Sequence, residues 1–146
     1  MKIILRNREL SAALSFVGNM NLEAASASRH RSKFKNALID AIDGLKEAES
    51  EIYDKYGEKD ENGKLIINDA RTDYKIRDGA KTDFYQEMAE LLNEEVIIEG
   101  GIYIRNISRF GQVLAEYNGV ISGKEADIYD RLMDEFEKEE NQDVKD

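Results

Sequence analysis

The stretch Phe34–Ile52, "FKNALIDAIDGLKEAESEI", decides the fold. Its apolar residues Phe34, Leu38, Ala41, Leu45, Ala48 and Ile52 recur in steps of four and three, the spacing that keeps side chains on one narrow stripe of an α-helix. Extended back to Ser28 and forward to Tyr56-Gly57, the pattern predicts one long helix over about residues 28–57. Phe34, Leu38, Leu45 and Ile52 are expected in the core. Alanines in the seam allow a close neighbour, either the chain's own core or a second copy.

On the N-terminal side, "KIIL" (Lys2–Leu5) reads as a short strand, and Asn7 is placed to cap a helix carrying Leu10, Leu14 and Val17 that stops near Gly18-Asn19. On the C-terminal side, "KLIIN" (Lys64–Asn68) and "DYKIR" (Asp73–Arg77) follow the turn Asp60-Glu61-Asn62-Gly63 and predict a hairpin. "TDFYQEMAELLNEE" (Thr82–Glu95) then predicts a helix with Phe84, Met88, Leu91 and Leu92 inward, and "VIIEG" (Val96–Gly100) a strand able to pair with "KIIL". Over residues 102–118 a strand-like alternation competes with Tyr103, Ile107, Phe110, Leu114 and Tyr117 at steps of four and three, and the helix reading is preferred. Ser122 and Glu125 form a capping box for a last helix with Ile128, Leu132 and Phe136 inward, and the acidic tail over about 138–146 is expected to fray. The expectation is a single helix-rich α+β domain over residues 1–146, its long helix packed with three or four shorter ones beside a small β-sheet or hairpin.

Composition bounds the function. A chain of 146 residues, 41% hydrophobic and 36% charged, folds as one domain and offers no apolar run approaching the ~20 residues of a membrane span. The N-terminal apolar run ends at Arg6, too short for a signal-peptide core, and cysteine is absent. A cytoplasmic, membrane-free protein is therefore expected. The net charge of −10 is uneven: residues 1–39 hold seven Lys or Arg against Glu9 and Glu23, so residues 40–146 total −15. Such acidity argues against non-specific nucleic-acid binding.

The chemistry-bearing motifs are few. His30 is the only histidine and stands among arginines, where like charge disfavours the imidazolium of a catalytic triad. Asp60-x-Asn62 has the spacing of an EF-hand loop, but Lys64 falls where a ligand is needed, so no metal is expected, and no cofactor motif is present. The sharp feature is "ASRHRSKFK" (Ala27–Lys35), which gathers Arg29, Arg31, Lys33 and Lys35 in an otherwise acidic chain. On a helix centred on Phe34, Arg31 and Lys35 fall on one flank and Arg29 and Lys33 on the other. The cluster is either a basic face neutralised by the acidic part of the chain, or an anion site in which the arginines offer planar forks to phosphate or carboxylate.

Five segments, "KIILRNREL", "SRHRSKFKNAL", "YGEKDENGK", "LLNEEVIIEG" and "SGKEADIYDRLMDEFE", together resemble a family of small proteins of unknown function encoded by phages and prophages of low-GC Gram-positive bacteria. The resemblance covers most of the chain, implies a host-cytoplasm setting, and carries no site residues over. Three readings follow. The first is a non-enzymatic phage accessory protein that binds a protein partner, itself or a host or phage protein, in assembly or in inhibiting a host protein. The second is a binder of a phosphate-bearing small molecule, such as a counter-defence sponge for a nucleotide signal, using Arg29, Arg31, Lys33 and Lys35. The third is a carboxylate-based hydrolase.

Overall fold

A computed structural model of the chain describes residues 1–100, 102 and 104–138. Along it run β1 (Ile3–Arg6), α1 (Leu10–Asn19), α2 (Ala25–Tyr56), α3 (Lys81–Asn93), β2 (Glu95–Ile98), α4 (Ile104–Glu116) and α5 (Gly123–Phe136), the expected helix-rich α+β architecture. Tyr103 and the tail beyond Lys138 lie outside the described residues. By its contacts the chain divides into two compact units, one of Met1–Ile42 with the chain from Glu95 onward, the other of Asp43–Glu94.

In the first unit the two β-branched runs find each other across most of the sequence. β1 and β2 pair antiparallel in the register Ile3↔Ile98, Ile4↔Ile97, Leu5↔Val96 and Arg6↔Glu95, as expected for "KIIL" and "VIIEG". Period-2 alternation turns Ile3, Leu5 and Ile98 into the core. Asn7 does not cap α1 directly. It opens a single 3-10 turn, Asn7–Glu9, whose Glu9 carboxylate accepts the Arg6 N–H at 2.7 Å and so does the capping. α1 then buries Leu10, Ala13, Phe16 and Val17, and ends at Asn19.

α4 settles the competition between residues 102 and 118 in favour of the helix, since Ile107, Phe110 and Leu114 are fully buried along one face. α5 starts where the capping box predicts, with Glu125 Oε1 accepting the Ser122 N–H at 3.2 Å and the Ser122 hydroxyl at 3.0 Å. Ile128, Leu132 and Phe136 point inward as their spacing requires. Phe34 from α2, Phe110 from α4 and Phe136 from α5 form the aromatic centre of this core, Phe34 and Phe110 stacking at 5.0 Å between centroids. Gly111 lets Phe136 come close: a Cβ at that position would stand 2.7 Å from the ring.

α2 is longer than the spacing predicts, starting at Ala25, and its stripe is only partly core. Phe34 and Leu38 are fully buried, but Leu45 and Ile52 are only half-buried, contrary to expectation. The reason is topological. The boundary between the units falls after Ile42, inside the helix, and from Ile39 to Lys55 no residue is fully buried. Leu38→Ala is therefore expected to cost about 2–5 kcal/mol and Leu45→Ala about 1 kcal/mol or less, because a half-exposed leucine leaves little cavity behind. Urea unfolding of the two variants checks this; equal losses would mean that the stripe is buried throughout.

The second unit closes around Tyr56, Ile76 and Phe84, with Ile52, Tyr53, Ala80 and Met88 packed against them. The expected hairpin is present as isolated antiparallel bridges, Lys59↔Leu65 and Ile67↔Tyr74, with Gly57↔Ile76 closing the base. Side chains close the turns between the bridges. The Asn68 amide oxygen accepts the Thr72 N–H at 3.0 Å, and Asp60 Oδ1 accepts the Asn62 and Lys64 N–H groups at 2.8 and 3.0 Å, so Asp60 is a turn residue. α3 buries Phe84 and Leu91, with Met88 and Leu92 half-buried.

Candidate functional site

The basic stretch lies in the second and third turns of α2, clear of the first turn, where the helix dipole would repel cations. The structure sends its members to different surroundings. Arg31 turns back to α1, its Nη1 donating to the carbonyls of Val17, Gly18 and Met20 at 3.4, 3.3 and 3.3 Å and its Nη2 to Ser28 Oγ at 3.4 Å. It thereby donates to the carbonyls at the C-terminal end of α1, a favourable place for a cation. Its Nε is buried with no hydrogen-bond partner among the described residues. Lys33 lines a small cleft with Asn36, Asp40, Glu99 and Gly100, so two carboxylates share its surroundings. Arg29 is exposed and Lys35 half-buried on the same helix. His30 Nδ1 lies 3.5 Å from the Asn106 amide nitrogen, part-buried on the α4 side.

The densest polar cluster lies elsewhere, and sequence reasoning missed it. Glu135, 2% exposed, accepts the Ile4 N–H at 2.8 Å on Oε1, and on Oε2 bonds Arg131 at 2.8 Å and Lys138 at 2.6 Å. Arg131 also donates to Glu9 at 3.0 Å and to the Ile4 carbonyl at 2.8 Å. Burial pushes the Glu135 carboxyl up, but Lys138, Arg131 and the Ile4 N–H outweigh it and hold the group below the ordinary glutamate range. A signal was available: Glu135 sits seven residues after Ile128 on the apolar stripe of α5, with Arg131 four residues before it.

In the second unit, Glu87 accepts both the Lys55 ammonium and the Tyr56 hydroxyl at 2.6 Å, and those bonds, Lys55 first, lower its pKa. Burial, then the 2.6 Å hydrogen bond to Asp73, raise the Tyr53 hydroxyl. Tyr53 belongs to an aromatic cluster: Tyr74 and Phe84 lie 5.3 and 5.2 Å from it, Tyr85 lies 5.2 Å from the buried Phe84, and Ile67 is the bridge partner of Tyr74. Ile67 is 59%, Tyr74 41% and Tyr85 66% exposed. Apolar groups of this size are seldom left together in water without a use.

A family model described as "Protein of unknown function (DUF1617)" matches residues 1–143. The chain belongs to the DUF1617 family. No curated protein and no solved structure matches it. For this DUF1617 chain the described residues contain no helix long and apolar enough to cross a membrane, and no group of three or more Asp, Glu or His placed to hold a metal ion.

Proposed function

We propose that this protein carries out no reaction and works by binding a basic protein partner through the aromatic face of its second unit. The observation that carries the reading is the exposure of Ile67, Tyr74 and Tyr85, joined through half-buried Tyr53 and buried Phe84, on a unit with fifteen Asp or Glu against eight Lys or Arg. Tyrosine-rich patches with a charged rim are the usual composition of binding hot spots, and the acidic surround selects a cationic surface. The resemblance to phage and prophage proteins supports reading it as an accessory protein of the host cytoplasm, directed at a host or phage protein.

The competing readings have less support. A hydrolytic carboxylate pair needs one acid with a raised pKa, yet the glutamates whose titration is shifted among the described residues, Glu87 and Glu135, are lowered by the ion pairs that hold them. An anion site built on Arg29, Arg31, Lys33 and Lys35 would have to do without Arg31, which is engaged by the α1 carbonyls.

The test starts from the partner identified by affinity capture and then purified. Titration calorimetry should show Tyr74→Ala/Tyr85→Ala binding at least about tenfold more weakly while remaining folded, since neither side chain belongs to the buried core. Undiminished affinity in the double variant would overturn the reading. So would a melting-temperature rise with nucleotides that is lost in Arg29→Ala.

A further inference from the structure

The two edges of the β1–β2 sheet are finished differently. On β1 the Ile4 N–H donates to Glu135, the Ile4 carbonyl accepts from Arg131, and the Arg6 N–H donates to Glu9, at 2.8, 2.8 and 2.7 Å. These backbone groups point away from β2, and side chains occupy them. In an antiparallel pair, residues directly opposite each other turn their backbone groups either both inward or both outward. Ile97, opposite Ile4, and Glu95, opposite Arg6, therefore present theirs on the far edge of β2. No hydrogen bond from another described residue reaches them there.

The side chains along this edge have a definite pattern. Glu95, Ile97 and Glu99 share one face of the strand; the two glutamates are exposed and Ile97 is 49% exposed. The chain already shows what fits β2. On its paired edge, "EVIIE" (Glu95–Glu99) faces "KIILR" (Lys2–Arg6), with Arg6 opposite Glu95, and one further step of the register sets Lys2 opposite Glu99. Opposite charges at both ends and apolar residues between them fix that register.

We propose that the open edge of β2 is a second binding site, which takes an extended segment of a partner protein carrying three apolar residues between two cations. Main-chain hydrogen bonds to Glu95 and Ile97 would supply the attachment and the glutamates the selection, the mode by which exposed sheet edges recruit peptides. A second copy of the chain fits poorly. Antiparallel pairing of β2 with itself about Ile97 sets glutamate against glutamate, and the outer edge of β1 in any copy is already occupied. The site lies in the first unit and does not depend on the aromatic face.

The probe is a blocked peptide, Ser-Lys-Ile-Ile-Leu-Arg-Ser, titrated into the isotope-labelled full chain. Saturable binding below about 1 mM is expected, with amide shifts centred on Glu95–Glu99. Two altered peptides leave the protein untouched: one with backbone N-methylation at the residues whose N–H faces β2, one with glutamate for both cations. Each should bind at least about tenfold more weakly. Absence of saturable binding, equal binding by either altered peptide, or shifts that report displacement of β1 would overturn the proposal.

Discussion

Glu135→Ala is expected to destabilise the first unit by about 3–5 kcal/mol, a large share of the ~5–15 kcal/mol that holds a domain together. The carboxylate is 2% exposed and bridges the Ile4 N–H, Arg131 and Lys138. Removing it strands a strand-edge N–H and leaves Arg131 with one carboxylate, Glu9, where it had two. The loss is thus mainly the cost of groups left unpaired. Glu135→Gln keeps the shape and isolates the charge. Because the folded pKa is depressed, the contribution of Glu135 is fully present above the ordinary value of 4.5 and fades as pH falls below it, the unfolded chain taking up the proton first. Urea midpoints from pH 7 to pH 3 should fall more steeply below about pH 4.5 in the parent than in Glu135→Gln. Parallel curves, or an alanine cost below about 1 kcal/mol, would show that the network contributes little.

Phe110→Ala should be about as damaging, costing about 3–5 kcal/mol. Phe110 is fully buried and stacks on Phe34 with an interplanar angle of 23°, while Phe136 meets it edge-on at 6.1 Å. Three helices supply these rings, so none can collapse into the void without moving its helix. Phe34→Ala combined with Phe110→Ala should cost less than the sum of the single changes, because the second substitution enlarges a cavity whose ring contact is already lost. Equilibrium unfolding of the two single variants and the double variant measures that coupling; strict additivity would mean that the rings do not share a core.

By itself the sequence determined the elements and most of their inward faces. Steps of four and three placed α2, and the same spacing in Ile107, Phe110 and Leu114 chose helix over strand. The β-type runs "KIIL" and "VIIEG" gave the two strands that pair as β1 and β2. All of these are local periodicities or short motifs, and the backbone obeys them whatever lies nearby. Only the tertiary structure decided what covers each face. Leu45 and Ile52 continue a perfect stripe, yet the chain brings too little against that length of α2 to bury them. Arg31 looks like a free cation until α1 ends beside it, and Glu135 like part of an acidic tail until Ile4 arrives from 131 residues away. The physical reason is common to both charges. Periodicity records which side of an element is apolar, whereas the pairing of a charge depends on which distant backbone groups the fold leaves unsatisfied next to it.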